Sequence, residues 1–356
     1  MSTLRVNNLQ NTSTTDGGIS IDTSGHVTVD SVAMPSSGPL SNRNKIINGD
    51  MRIAQRGTGA VTISNDFPVD RFAVQNSTNG AFSAQQDSSA PAGFTSSVKV
   101  TITTADASLT TTQSLAFRQF IEGSNVYDFS WGSADAQTVT LSFWVRSSLT
   151  GTFSGSIVNN AADRSFPFTY TISTANTWEQ KTVTITGDTT GTWLTNTGIG
   201  LRIYFSLGSG PDVVGTPNQW NAALDFGATG ETALVGTLNA TWYITGVQLE
   251  AGTVATPFER RSYGQELSLC QRYYQSWSIQ NYQAGYSTNS RGAGGWVSFN
   301  TTMRDTPILT TSNISYFNAT GLSPKGVNEY GFGSYFAINN DGTAYCFYDF
   351  AATAEL

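Results

Sequence analysis

The chain has 356 residues, enough for more than one hydrophobic core, and 12% of them are aromatic. Only 12% are charged, well below the usual share, and the net charge of −7 is spread without basic blocks. This excludes a protein that holds nucleic acid by neutralising phosphates, and no run approaches the roughly 20 apolar residues of a membrane span.

Residues 1–42 are polar and rich in turn formers. Within GISIDTSGHVTVD, Ile19 and Ile21 share one face and Val27 and Val29 another, with turn chemistry over Asp22–Gly25, so a hairpin is expected. A lone hairpin is marginal in water, so the segment either orders against a partner or stays a disordered tail. The stretch MSTLRVNNLQ has no apolar signal-peptide core.

From 43 to 260 short strands alternate with turns: VKVTITT (98–104), LAFRQFI (115–121), TVTLSFWVRS (138–147), EQKTVTIT (179–186), GIGLRIYFS (198–206) and NATWYITGVQLE (239–250). Leu141, Phe143 and Val145 oppose Ser142, Trp144 and Arg146; Leu201, Ile203 and Phe205 oppose Arg202, Tyr204 and Ser206. Period-two patterning of this kind predicts antiparallel sheets with one buried face. The expected fold is all-β: a jelly-roll β-sandwich, with a barrel or two smaller sandwiches as alternatives, followed by a short helix and a small C-terminal β domain.

The helix is expected over 261–277, where Ser262 and Gln265 fit an S-x-x-Q capping box. Tyr263, Leu267, Cys270, Tyr274 and Trp277 follow at steps of 4, 3, 4 and 3, an a/d seam of about two heptads. Such a seam either gathers subunits or covers the sandwich. Arg260 and Arg261 either cap the sandwich edge, pairing with Glu259 and Glu266, or form ion pairs between subunits. Residues 278–356 form the second β region, with strands near GGWVSFN, PILTTSNISYFN, GFGSYFAI and GTAYCFYDF and a hairpin signal at Asp341–Gly342.

Little in the chain is arranged for chemistry. Cys270 and Cys346 stand alone, which fits buried apolar groups in a chain made in a reducing cytoplasm and neither a disulfide framework nor a zinc site. The one histidine, His26, sits in the N-terminal hairpin, and there is no HExxH, P-loop or EF-hand pattern. Glycoside hydrolysis needs two carboxylates about 5–10 Å apart, and no local acidic pair stands out. No catalytic residue, metal or cofactor is expected, although GDTTG (187–191) holds oxygens that suit calcium. Binding is the better prospect, because an exposed ring desolvates the C–H face of a sugar while amides and carboxylates hydrogen-bond its rim. The candidates are Trp296, Tyr330, Phe332, Tyr335 and Tyr348 in the C-terminal region, with Trp178 and Trp193 in the sandwich. Strand aromatics are also the residues that fill cores, a second reading that falls on Phe332 and Phe336 in particular.

NKIINGDMRIAQRG (44–57), followed by FPVDRF (67–72), resembles the start of a module in tail-fibre and other appendage proteins of tailed bacteriophages. ITGVQLEAGTVATPFERRSYGQELSLCQRYYQ (244–275) resembles its end, and TVTLSFWVRSSLTGTFS and NTWEQKTVTITGDTTGTW (176–193) resemble a carbohydrate-binding-module jelly roll. TTMRDTPILTTS (301–312) is similar to a stretch that follows the CQRYY helix in such proteins. The resemblance implies a virion tail appendage, commonly a homotrimer, attached to other virion proteins by its N-terminal segment and to host-surface polysaccharide by its distal β domains. A purely structural adaptor or decoration protein is the second reading, and a glycan-degrading tail spike the third.

Overall fold

The computed structural model describes residues 8–9, 18–29, 32–35, 40–287 and 292–356. The chain is all-β apart from one α-helix among the described residues, and no described helix is long and apolar enough to cross a membrane. It divides into two compact units, Met1–Ala54 with Thr58–Arg260, and Gln55–Gly57 with Arg261–Leu356.

The first unit opens with a small antiparallel sheet of β1 (Asn8–Leu9), β2 (Ile19–Ile21), β3 (Val27–Val29) and β4 (Val32–Ala33). Ile19 pairs with Val29 and Ile21 with Val27, so the four share one face, whereas alternation alone had the isoleucines and valines apart. Asp22 closes the hairpin by accepting the Ser24 and His26 amides at 2.8 and 2.9 Å.

The sandwich follows as β5 (Ala73–Asn76), β6 (Ala81–Asp87), β7 (Ser97–Thr104), β8 (Ser114–Glu122), β9 (Val139–Ser147), β10 (Gly151–Val158), β11 (Ser165–Ile172), β12 (Glu179–Ile185), β13 (Ile199–Ser209), the short β14 (Val214–Gly215) and β15 (Gly227–Ala228), and β16 (Thr241–Ala251). Sheet I has the order β11-β10-β13-β8-β5 and sheet II the order β12-β9-β16-β7-β6. Both are antiparallel. Leu141, Phe143, Val145, Leu201, Ile203 and Phe205 all turn inward, as their alternation requires. Phe143 of sheet II meets Tyr170 and Phe205 of sheet I edge-on at 5.0 and 5.1 Å, and Trp242 meets Phe117 at 5.8 Å. These rings are the centre of a single core, which settles the choice in favour of one sandwich.

The motif residues at the two ends of the module are structural. The Asn44 side chain accepts the Ile46 and Leu249 amides at 3.0 and 3.1 Å and donates to Val247 O at 3.0 Å. Gln119 accepts the Ile47 amide and donates to the Ile47 carbonyl, replacing a strand partner. Glu250 accepts from Thr256 N and Oγ1 at 2.9 and 2.7 Å, Gln248 accepts from Glu259 N, and Glu259 accepts from Asn44 N. Buried polar groups must be paired, and here the pairing ties the opening segment to the closing one.

The second unit starts with α1 (Tyr263–Gln271), whose first turn is capped by Ser262 Oγ accepting Gln265 N. It continues as β17 (Tyr274–Ser287), β18 (Gly292–Ser298), β19 (Ile308–Phe317), β20 (Ala319–Asn328), β21 (Gly331–Ile338) and β22 (Gly342–Thr353). Sheet III is β17-β22-β19 and sheet IV is β18-β21-β20. Phe332 and Phe336 of sheet IV pack on Cys346, Tyr348 and Phe350 of sheet III to form a second, smaller core. β21 and β22 therefore belong to different sheets, and the Asp341–Gly342 turn is a crossover, not the hairpin its residues suggest. Gln55–Gly57 join this unit: Gln55 Nε2 donates to Tyr274 O at 2.8 Å, and the Arg56 guanidinium lies 3.6 Å from the Tyr274 ring centroid and pairs with Glu355 at 3.1 Å.

Candidate functional site

The two faces of sheet IV differ sharply. On β21 the residues Phe332, Ser334, Phe336 and Ile338 face the core, while Tyr335 is 48% exposed; on β18 Trp296 is 52% exposed. Pairing sets Tyr335 between Gly294 and Ser323, and sets Gly333 between Trp296 and Lys325. A Cβ at Gly333 would lie 2.6 Å from Tyr335 Cε2, and one at Gly294 would lie 2.9 Å from Tyr335 Cδ1. The ring thus lies down over a glycine floor that no other residue would leave open. Lys325 Nζ is 5.7 Å from the Tyr335 centroid. Two exposed rings with small polar neighbours make a shallow surface able to take the apolar face of a ligand. Tyr330 is also exposed, in the turn before β21, where its amide donates to Asn328.

Phe332 and Tyr348 are both fully buried and offer no face to a ligand, a correction to their place among the binding candidates. Phe332 fills the core together with Phe336, while Tyr335 lies on the opposite face of the strand. Trp193 belongs to a cluster in which Trp131, Trp193 and Trp220 meet edge-to-face at 4.7, 5.3 and 5.4 Å. Each indole N–H is satisfied from within: Trp131 by Gln137 O, Trp220 by Thr186 O, Trp193 by Thr190 O and Asp188. The adjoining cavity of about 40 Å³, between Tyr127, Trp131 and Trp193, is far smaller than a saccharide pocket. Trp178 stands edge-on to Tyr243 at 6.1 Å, on the outer side of sheet II.

The proposed heptad seam does not exist as one helix face. The helix ends at Gln271, and Tyr274 and Trp277 lie in β17, paired with Thr353 and Phe350 of β22. Sheet pairing outcompetes a further helical turn in this aromatic, β-prone run. Of the seam residues left on the helix, Cys270 is buried in its own unit, Leu267 is half-buried and Tyr263 is 56% exposed. Arg261 pairs with Glu266 at 3.3 Å within the unit, and Arg260 lies over Phe94 at 4.7 Å.

The calcium-like loop is occupied by a cation of the chain itself. Arg164 grips Asp188 through Nε at 2.9 Å and Nη2 at 2.6 Å. Burial alone would raise the Asp188 carboxyl; the Arg164 hydrogen bond and the Thr190 amide outweigh it and hold the group below its ordinary range. Asp225 is likewise engaged, by Ser165 and Asn221. Among the described residues no three His, Cys, Asp or Glu side chains gather as a metal site. Glu231 is raised above its ordinary value, pushed up by burial against the hydrogen bonds of Ser154, Ser206 and Ser209, and it faces those serines.

No protein-family model matches the chain, and no curated protein does. Among solved structures it is similar to the enzymatically active domain of bacteriophage CBA120 tailspike protein 4, at 12% identity and a TM-score of 0.32, over 60% of this chain and 22% of that one. It is also similar to a CBM4 structure at 18% identity and a TM-score of 0.30, over 57% and 97% of the two chains. A putative sugar binding protein from Bacteroides thetaiotaomicron gives 11% identity and a TM-score of 0.32, over 59% and 100%. At these values the likenesses carry no functional argument. The chain spans about a fifth of the tailspike domain's length.

Proposed function

We propose that the chain is a tail-fibre-class appendage subunit of a virion, non-catalytic, which attaches to host-surface glycans through the outer face of sheet IV. The observation that carries this reading is the pair of exposed rings, Trp296 and Tyr335, lying on a glycine floor beside Lys325. The phage-appendage resemblance of residues 44–275 and 301–312 supplies the biological setting. Assembly as a homotrimer, attachment to other virion proteins by the N-terminal segment, and a location in the virion belong to the same proposal. A shallow aromatic surface binds weakly on its own, and several copies on one assembly multiply the avidity without new contacts.

A glycan array probed with the full chain tests the reading. Binding to bacterial surface glycans is expected, with at least a tenfold loss in Trp296→Ala and Tyr335→Ala. Absence of any binding, or binding that both variants retain, overturns it and favours a purely structural virion role. Release of shorter saccharides from the bound polysaccharide would make the protein a degrading tail spike instead.

A further inference from the structure

We infer that the outer face of sheet I carries a second site, in which Arg118 and Arg202 receive the carboxylate of an acidic saccharide. The inference takes from the reading above only that the chain binds saccharides; it does not depend on the sheet IV surface.

Arg118 and Phe120 point outward from β8, between the inward, buried Phe117 and Ile121. The register places Arg202 of β13 opposite Phe120, and Tyr204 opposite Arg118. Both guanidiniums rest against one ring, with their carbons 4.4 and 5.3 Å from the Phe120 centroid. Phe120 in turn meets Tyr204 at 6.1 Å, and Tyr204 meets Phe226 at 5.0 Å, where the segment between β13 and β16 covers the neighbouring part of the sheet. Phe120 packs against the edge of that cover, and Arg118, Phe120 and Arg202 remain half-buried.

Among the described residues neither arginine has a carboxylate partner. Arg118 donates to Gln75 Oε1 at 2.7 Å and Asn65 Oδ1 at 2.8 Å; Arg202 donates to the Asn160 carbonyl at 2.8 Å. These neutral acceptors orient the guanidiniums without discharging them. Elsewhere in the same unit Arg43, Arg52 and Arg164 have Glu250, Asp50 and Asp188. The next outward acid on β8, Glu122, is buried and accepts Ser124 Oγ at 2.9 Å.

In a chain with 25 acidic and 18 basic residues, two adjacent cations left without an acid are an energetic cost. Like charges repel more strongly as they lose water, and a ligand anion removes that penalty. The planar, forked guanidinium matches a planar carboxylate in two parallel hydrogen bonds. A uronate or sialic-type residue supplies that group together with hydroxyls for Gln75 and Asn65.

The test is calorimetric titration of the full chain with trigalacturonate and 3′-sialyllactose, against galactotriose, lactose and a sulfated disaccharide. At least one carboxylated probe is expected to bind ten times more tightly than its neutral counterpart and than the sulfated probe. Arg118→Gln and Arg202→Gln should each abolish that preference, while Lys99→Gln, which removes a cation from the outer side of sheet II, leaves it unchanged. Gln75→Glu, which places an internal carboxylate beside Arg118, should compete with the ligand and weaken binding without removing an arginine. The inference falls if neither carboxylated probe binds, if neutral or sulfated probes bind as well, or if the arginine variants keep the preference. Saccharide binding lost in Trp296→Ala but kept in the arginine variants would leave the sheet IV reading standing and remove this one.

Discussion

Asn48 shows what a motif residue does once it is folded. It is fully buried with φ +60°, accepts the Ile53 amide, and donates to the carbonyls of Ile53 and Asp70, all at 2.9 Å. Asn48→Gly keeps the left-handed backbone but orphans these groups, and should cost about 3 kcal/mol in urea unfolding; Asn48→Ala adds backbone strain of roughly 1 kcal/mol. Glu231 gives a pH signature. Its folded pKa lies above its unfolded one, so its favourable contribution is complete below the ordinary carboxylate range and is lost as pH rises through the raised value. Wild type should therefore lose stability relative to Glu231→Gln as pH rises above the ordinary carboxylate range; parallel curves for the two proteins would contradict the assignment. Arg164→Met, which leaves the buried Asp188 unpaired, should cost about 3 kcal/mol. The sequence shows the NKIINGDM stretch as a signature. It does not show that Asn44 reaches Val247 and Leu249, because that partnership exists only after the two ends of the module meet.

At the scale of elements, strands were the most legible feature. Inward residues such as Phe143 and Phe205 follow directly from alternation, and the start of α1 follows from Ser262 and Gln265. Ser262→Ala should lower the stability of the C-terminal unit by about 1 kcal/mol, seen as a shift confined to its own unfolding transition. The helix end was not legible. Tyr274 and Trp277 continue the helical spacing, and only the β22 partner shows that they are strand. The same limit hides the arginine pair: Arg118 and Arg202 sit in separate strands, and a one-residue change of register would send their side chains to opposite faces. Aromatic richness marked the C-terminal region and Phe332 and Phe336 read as its interior, as the structure has them, but nothing in the sequence signals that Tyr348 is buried as well.

At the scale of the whole chain, light scattering decides the assembly proposal: a mass three times that of the 38.1 kDa chain is expected, and a monomer would remove the multivalent argument. A fragment of residues 261–356 should melt below the same unit in the full protein, because it lacks the Gln55 hydrogen bond and the Arg56 contacts with Tyr274 and Glu355. Equal melting would mean that the three residues contribute nothing. Their place in the second unit also bears on inheritance. A contiguous exchange covering only 261–356 would leave Gln55–Gly57 behind with the old partner. An exchange that works must either carry both pieces or find a recipient whose tripeptide already fits the incoming Tyr274 and Glu355.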